Sequence, residues 1–442
     1  AHGPLRRRRL DAPGHDAGVP GPGGGALVPE RADGRRRSAR APSPMKAEAF
    51  RLSLSQEPRP LAPGEPPPPI ASGPVADPGR MLDAGYCPKE DIERLWAQKT
   101  RLDGLFDSGR GDLYRRAREQ LYPSAPRRGA GQSLGNRAGE KLKEIVDAVG
   151  GLDGALRAEE EETCFMDVCG APGAWSHFLF GAGAERGARM RGFGFSLRDG
   201  TNPLSCTWYP ELTGKDNFTA LWGADGTGDV CSAENVADVV GAVGRRMAVV
   251  VADGGFGVES AATGAHMENY QEIVSGRMLL AETLVMLGTI CQGGCFVCKI
   301  FDAFSHVTVG LLFVVASLFE EAWIVKPHHS RVVNSERYLV GKGFRGTQRP
   351  CFDRVQRAVE TAHSLWPVPG TAGAWSGLAP LHVIAPEEMR ADAGFLASVQ
   401  AMTVTLCRRQ ASALEEVMDR ALQLQSSGES KMKRQRVRKK KK

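Results

Sequence analysis

Apolar residues recur along this chain in two spacings, and the changes from one to the other mark its elements. Pro88 to Leu105 places Ile92, Leu95, Trp96 and Leu102 at helical spacing, and Lys141–Val149 carries a second helix. Thr163–Val168, Gly192–Leu197, Met247–Ala252 and Cys295–Ile300 are short apolar runs of strand length, with a long irregular stretch between the second and the third. Helices are expected from Trp175, around Met278, Leu279, Leu284 and Leu287, and over Val307–Phe319. Strands at Ala322–Lys326 and Arg337–Gly341 follow, joined by a ten-residue connection. Strands alternating with helices predict an α/β fold, a mostly parallel sheet flanked by helices. The last two strands have no helix between them, so one is expected to be antiparallel at the end of the sheet. A closing helix or helix pair over 395–422 turns Phe395, Val399, Met402, Leu406, Leu414, Val417 and Leu422 inward.

Composition divides the chain into three. Residues 1–80 are rich in Pro, Gly, Ala and Arg, include Pro66-Pro67-Pro68-Pro69, and are expected to be disordered. Residues 81–425 form the folded domain with helical extensions at both ends, and 426–442 form a basic disordered tail. The tail's last stretch (KMKRQRVRKKKK, 431–442) holds nine Lys/Arg, and 1–80 holds thirteen basic against eight acidic residues. With a total of +6, the stretch between them carries −8, so the basic character belongs to the ends. A cationic run of this kind is a nuclear localisation signal, a nucleic-acid tether or a solvated tail. The Arg-rich start loosely resembles a transit peptide, against which its Pro/Gly density argues. Arg115, Arg116, Arg118, Arg127 and Arg128 beside Tyr114 and Tyr122 suit RNA phosphates and bases, or equally a solvated helix face.

Ten widely separated cysteines point to a reducing compartment. Cys291, Cys295 and Cys298 lack a second Cys/His pair nearby, so no metal is expected. The most apolar run, Val309 to Phe319, is about half the ~20 residues that a membrane span needs.

The chemistry lies where charge or glycine interrupts the apolar runs. Phe165 to Trp175 is a strand entering a glycine turn and then a helix, Cys169-Gly170-Ala171-Pro172-Gly173-Ala174-Trp175, where a doubly wound sheet binds ligands. Its spacing is neither the dinucleotide fingerprint nor a P-loop. Gly223 to Val230 offers carboxylates in a flexible loop, and Asp229 there is an acceptor for an adenine amino group or part of a surface turn. Three of the four residues Lys141, Asp253, Lys299 and Glu336 end or interrupt strand-like stretches, where an unpaired charge is costly.

Roughly residues 83–425 resemble the FtsJ-like (RrmJ-type) 2′-O-ribose methyltransferases, and within them the eukaryotic enzymes specific for the mRNA cap. The stretches that carry the resemblance are Asp253-Gly254-Gly255-Phe256, Cys298-Lys299-Ile300-Phe301-Asp302, Lys326-Pro327, and Ser330-Arg331 through Asn334-Ser335-Glu336-Arg337-Tyr338. It implies a Rossmann-like S-adenosylmethionine-dependent methyltransferase sheet. The implied reaction moves a methyl group from S-adenosylmethionine to the 2′-hydroxyl of the first transcribed nucleotide beside a methylguanosine cap. It further implies capped mRNA as partner, the nuclear transcription and capping machinery around it, and a nuclear location. By motif position Lys141, Asp253, Lys299 and Glu336 are the catalytic set. Asn136, the run Cys169 to Trp175 and Asp229 would hold the cofactor; Asn269, Tyr270, Gln271 and Asn334 would touch the capped RNA. The chain departs from the pattern in an insertion, Ser260 to His266, and in Ala171 and Ala174 of the turn. Animal members carry a glycine-rich patch and a WW domain that have no evident counterpart here.

The same tetrad would serve an enzyme acting on ribosomal RNA, small nuclear RNA or the second cap nucleotide. A catalytically silent RNA-binding module would need neither Lys299 nor Glu336. Lys299 as base must be neutral at working pH. Lys141 and the sulfonium favour the neutral form, Asp253 and Glu336 the charged one, and the sequence leaves that contest open.

Overall fold

The computed structural model describes residues 47–55, 84–123, 137–152, 154–156, 161–198, 207–255, 268–365 and 382–440. Eight strands form one sheet in the order β1-β7-β8-β6-β5-β2-β3-β4. They are β1 (Glu48–Leu52), β2 (Thr163–Val168), β3 (Met190–Phe195), β4 (Phe218–Leu221), β5 (Met247–Ala252), β6 (Ile290–Ile300), β7 (Phe319–Lys326) and β8 (Arg337–Phe344). The longer helices are α1 (Lys89–Asp107), α2 (Gly111–Leu121), α3 (Arg137–Ala148), α4 (Ala174–Glu185), α5 (Ala233–Val243), α6 (Gly276–Thr289), α7 (His306–Leu318), α8 (Phe352–Leu365) and α9 (Ala393–Lys440).

The centre of the sheet, β4-β3-β2-β5-β6, is parallel, and β8 runs antiparallel to both β6 and β7. The expected antiparallel strand is therefore present, but it lies between two strands rather than at the end of the sheet. The edge is β1, antiparallel to β7. That strand corrects the reading of 1–80 as wholly without order. Its Phe50 packs against the core and its Leu52 is buried, while the alternate positions Ala49 and Arg51 are exposed. The stretch read as irregular contains β4 and α5. Strand β4 has only four residues, too few to show a period, and α5 is capped by Ser232, whose hydroxyl accepts the Asn235 N–H.

Because side chains alternate across a strand, each central strand feeds two cores. Phe165, Val249, Val251, Cys295, Val297, Tyr338 and Val340 pack with Leu142, Ile145, Trp175 and Leu179 of α3 and α4. Met166, Val168, Val250, Ala252, Phe296, Cys298 and Leu339 face the other way, towards α6, α7 and α8. Helices α1 and α2 pack against α9, which also contacts β1.

Helix α9 starts where the apolar spacing predicts and continues to Lys440. The expected boundary with a tail near 426 does not appear as a break in the helix, since beyond Leu422 the chain has Gly428 but no proline to stop it. Leu422, expected inward, is exposed.

Candidate active site

Sheet register assembles the four charged residues. Ala252 pairs with Cys298 and Lys299 pairs with Tyr338, so Asp253, Lys299 and Tyr338 lie side by side at the ends of β5, β6 and β8. Glu336 stands two residues before Tyr338 and shares its face. Lys141 descends from α3 over the same face. Lys299 Nζ lies 3.3 Å from Asp253 Oδ1 and donates to the Asp253 carbonyl at 2.8 Å. Lys141 Nζ lies 2.8 Å from Glu336 Oε1.

The two ion pairs meet at Tyr338. Its hydroxyl is 3.1 Å from Asp253 Oδ1, 2.9 Å from Glu336 Oε1 and 3.4 Å from Lys141 Nζ. Burial, then the charges of Asp253 and Glu336, hold this phenol well above its ordinary pKa, so it is a neutral donor shared between two carboxylates. The four charged side chains are between 9% and 19% exposed, while Tyr338 is fully buried. Tyr338 belongs to a quoted motif but had no role assigned; the spacing of two between Glu336 and Tyr338 was the signal for it.

Among the chain's own groups the carboxylates prevail at Lys299. Burial alone would lower its pKa, but Asp253, then Glu336 and Glu282, outweigh it and raise it above the ordinary lysine value. Glu336 is the converse: burial pushes it up, and Lys141 and Lys299 more than reverse that. Lys141 is thus engaged with Glu336.

Across the sheet lies a second ionic group. Asp302 receives Lys99 Nζ at 2.7 Å, Arg337 Nη2 at 2.8 Å and the Ser335 hydroxyl at 2.9 Å. Arg337 Nε also donates to the Ser335 carbonyl at 3.0 Å. Burial pushes Asp302 up, but Lys99 and Arg337 hold it below the usual carboxylate range.

The glycine turn leaves β2 on the same edge of the sheet. Cys169 has φ 55° and Gly173 has φ 109°, and a Cβ on Gly173 would meet Leu212 at 2.2 Å. At Gly170 a Cβ would meet the Asp167 carboxylate at 2.1 Å. Asp167 Oδ2 accepts the Ser176 N–H and O–H, while its fully buried Oδ1 has no partner among the described residues. Burial, only partly offset by those bonds, pushes this carboxyl up to about 7. A turn with no side chain larger than proline between Gly170 and Ala174 leaves its backbone open to S-adenosylmethionine, and the buried Asp167 carboxyl beneath it ties the turn to Ser176 at the start of α4. Asp229 lies in the loop after β4, and its Oδ1 accepts the Cys231 N–H at 2.8 Å.

Other expected site residues are placed less directly. Trp175 turns its ring inward, 5.7 Å from Tyr338, and donates its indole N–H to the Ala138 carbonyl. Asn269, Tyr270 and Gln271 lie in the turn and short helix Glu268–Val274, and Asn269 Nδ2 donates to Thr100 Oγ1 of α1 at 3.0 Å. Asn334 precedes Glu336 by two, and its carbonyl accepts from Lys326. Lys326 also donates to Ser330 and to the Glu336 carbonyl, so this residue buttresses the β8 entry rather than offering a free cation to RNA. In the Arg/Tyr patch, Tyr114 is buried, so its ring is not offered for base stacking, and the partly exposed Tyr122 donates its hydroxyl to Glu416. Asn136, Phe256, Arg127, Arg128 and the insertion 260–266 lie outside the described residues.

Known proteins share this arrangement of sequence. The family model described as FtsJ-like methyltransferase matches residues 134–344, which span all four charged residues and the glycine turn. A Trypanosoma cruzi protein named cap-specific mRNA (nucleoside-2′-O-)-methyltransferase 1 is 41% identical over 283 residues, covering 62% of this chain and 74% of its own. The Trypanosoma brucei brucei protein of that name is 36% identical over 340 residues, covering 75% and 84%. A Danio rerio protein of the same name is 32% identical over 280 residues, covering 59% of this chain and 32% of its own. The chain belongs to the FtsJ-like methyltransferases.

Proposed function

We propose that this chain transfers a methyl group from S-adenosylmethionine to the ribose 2′-hydroxyl of the first transcribed nucleotide of capped mRNA. The observation that carries the reading is the convergence of Lys141, Asp253 and Glu336 on the Tyr338 hydroxyl, with Lys299 joined to them through Asp253, beside the glycine turn. The trypanosome relatives named for cap methylation support the choice of RNA.

A ribose hydroxyl is a weak nucleophile whose proton must leave as it attacks. Cys169 to Ala174 and Asp229 would hold S-adenosylmethionine, which supplies an electrophilic methyl group and a fixed positive charge. Lys299 is the proton acceptor. The carboxylates around it favour the ammonium, so Lys299 becomes a base only when a further cation offsets them. Asp253 and Glu336 aim the two lysines, and Tyr338 keeps the carboxylates from separating. Orientation of this kind is worth several powers of ten in rate. Asn269, Tyr270, Gln271 and Asn334 would position the capped end. Among the described residues no helix is long and apolar enough to cross a membrane. The cationic run at 431–442 supports action in the nucleus.

The test is methyl transfer from labelled S-adenosylmethionine to three RNAs: N7-methylguanosine-capped, guanosine-capped and uncapped. Incorporation on capped RNA alone, at the 2′-oxygen of the first nucleotide, is the expected outcome. Equal incorporation on uncapped RNA, or label at an internal ribose, would move the substrate to another RNA.

A further inference from the structure

A fully buried carboxylate on the face of the sheet opposite the tetrad touches both of its central arms. Glu282, on α6, has no exposed surface. Its Oε1 accepts the Gly254 N–H at 3.1 Å, and its Oε2 receives the Cys298 thiol at 3.3 Å. Gly254 directly follows Asp253, and Cys298 directly precedes Lys299. Cys169, which opens the glycine turn after β2, feels the same carboxylate: burial, then the Glu282 charge, pushes its thiol up. One side chain therefore bonds to the ends of β5 and β6, the strands that present Asp253 and Lys299. The fit is close: a Cβ on Gly254 would lie 2.4 Å from Glu282 Oε1.

A buried carboxylate is a costly anchor when a smaller apolar group would fill the space. Burial, outweighing its bonds from Cys298 and Gly254, pushes Glu282 up to about 7. The residue is out of reach of solvent, and its charge acts on Lys299 only behind those of Asp253 and Glu336. What it offers is length and two acceptor atoms.

We propose that Glu282 is a positioning residue for methyl transfer, holding Asp253 and Lys299 in register from behind the sheet by bridging Gly254 and Cys298. The claim concerns reach rather than charge, and it rests on the methyltransferase reading above.

Two conservative variants separate reach from charge. Glu282→Gln keeps the length, an acceptor for Gly254 N–H and a partner for Cys298, but removes the charge. Glu282→Asp keeps the charge and is one methylene too short to span both partners. With N7-methylguanosine-capped RNA, Glu282→Gln should retain kcat within about threefold, and Glu282→Asp should lose about tenfold or more in kcat. KM for cofactor and RNA should change by less than about threefold in either. An active Glu282→Asp with an inactive Glu282→Gln would overturn the proposal, as would a loss carried wholly by KM. Amide hydrogen exchange over 250–255 supplies a readout independent of turnover: Glu282→Asp should speed exchange at Gly254 and Glu282→Gln should not. Should the unchanged chain fail to methylate RNA, the function reading falls. The exchange result still decides whether Glu282 holds this segment, and equal exchange in both variants would refute it.

Discussion

Two buried ionic groups flank the start of β8, one on each face of the sheet, and only one is open to solvent. Ser335 and Arg337 point to Asp302 and Lys99, whose charged side chains, with that of Arg337, are 2% to 4% exposed. Glu336 and Tyr338 point the other way, into a tetrad of two lysines and two carboxylates open enough to meet a substrate. In the sealed group one carboxylate is saturated by two cations and a hydroxyl, which fixes the chain but leaves nothing to react. In the open group two carboxylates compete for one phenol and two ammonium groups. Alternation along a single strand separates the anchor from the site, and the anchor sets where Glu336 begins.

This contrast can be broken from either side. The largest effect is expected in turnover from Lys299→Ala, which should lower kcat about 10²–10⁴-fold with Tm nearly unchanged. Lys299→Arg should fail similarly, and near wild-type kcat in either would remove the base assignment. The sealed group should respond in stability instead. Asp302→Asn leaves Lys99 and Arg337 without their anion and should cost about 3–5 kcal/mol in denaturant unfolding, the range for breaking a buried pair. Because the folded pKa of Asp302 is depressed, its contribution is present above the unfolded value and lost as pH falls through the folded one. The unchanged chain should therefore approach the variant's stability in strong acid.

Smaller effects sharpen the comparison. Tyr338→Phe keeps the ring against Trp175 but removes the shared hydroxyl; about tenfold in kcat, with little change in Tm, is expected, equivalent to about 1.4 kcal/mol. Asp229→Ala should weaken S-adenosylmethionine about tenfold by calorimetry and leave RNA affinity alone. The pH profile of kcat/KM should rise from neutral into alkaline solution, because the carboxylates hold free Lys299 in its charged form. A plateau reached below pH 7 would show that another group takes the proton.

Much of this was legible before any coordinates. The buried strands Thr163–Val168 and Met247–Ala252 appear as read, because they are short, largely apolar runs bounded by polar or glycine-rich segments. The tetrad was legible through the resemblance to the FtsJ-like motifs, with charge beside apolar strands marking three of its four members. Glu282 and Lys99 were not, since a charged residue in an amphipathic helix pattern looks like a solvated one. Strand β1 was hidden by its surroundings: five residues inside a Pro/Gly-rich stretch form a strand only because β7 offers an open edge.

By itself the sequence determined the α/β alternation and the glycine turn, since each depends on local spacing and residue type, and its motifs singled out the four charged residues through their resemblance to a family. The tertiary structure decided how they pair. Register brought Lys299 opposite Tyr338, burial made the phenol a shared donor, and proximity to Asp253 and Glu336 set the charge of Lys299. Those outcomes depend on distances between segments far apart in the chain. Electrostatic interaction falls off with separation and with solvent screening, neither of which a linear pattern contains.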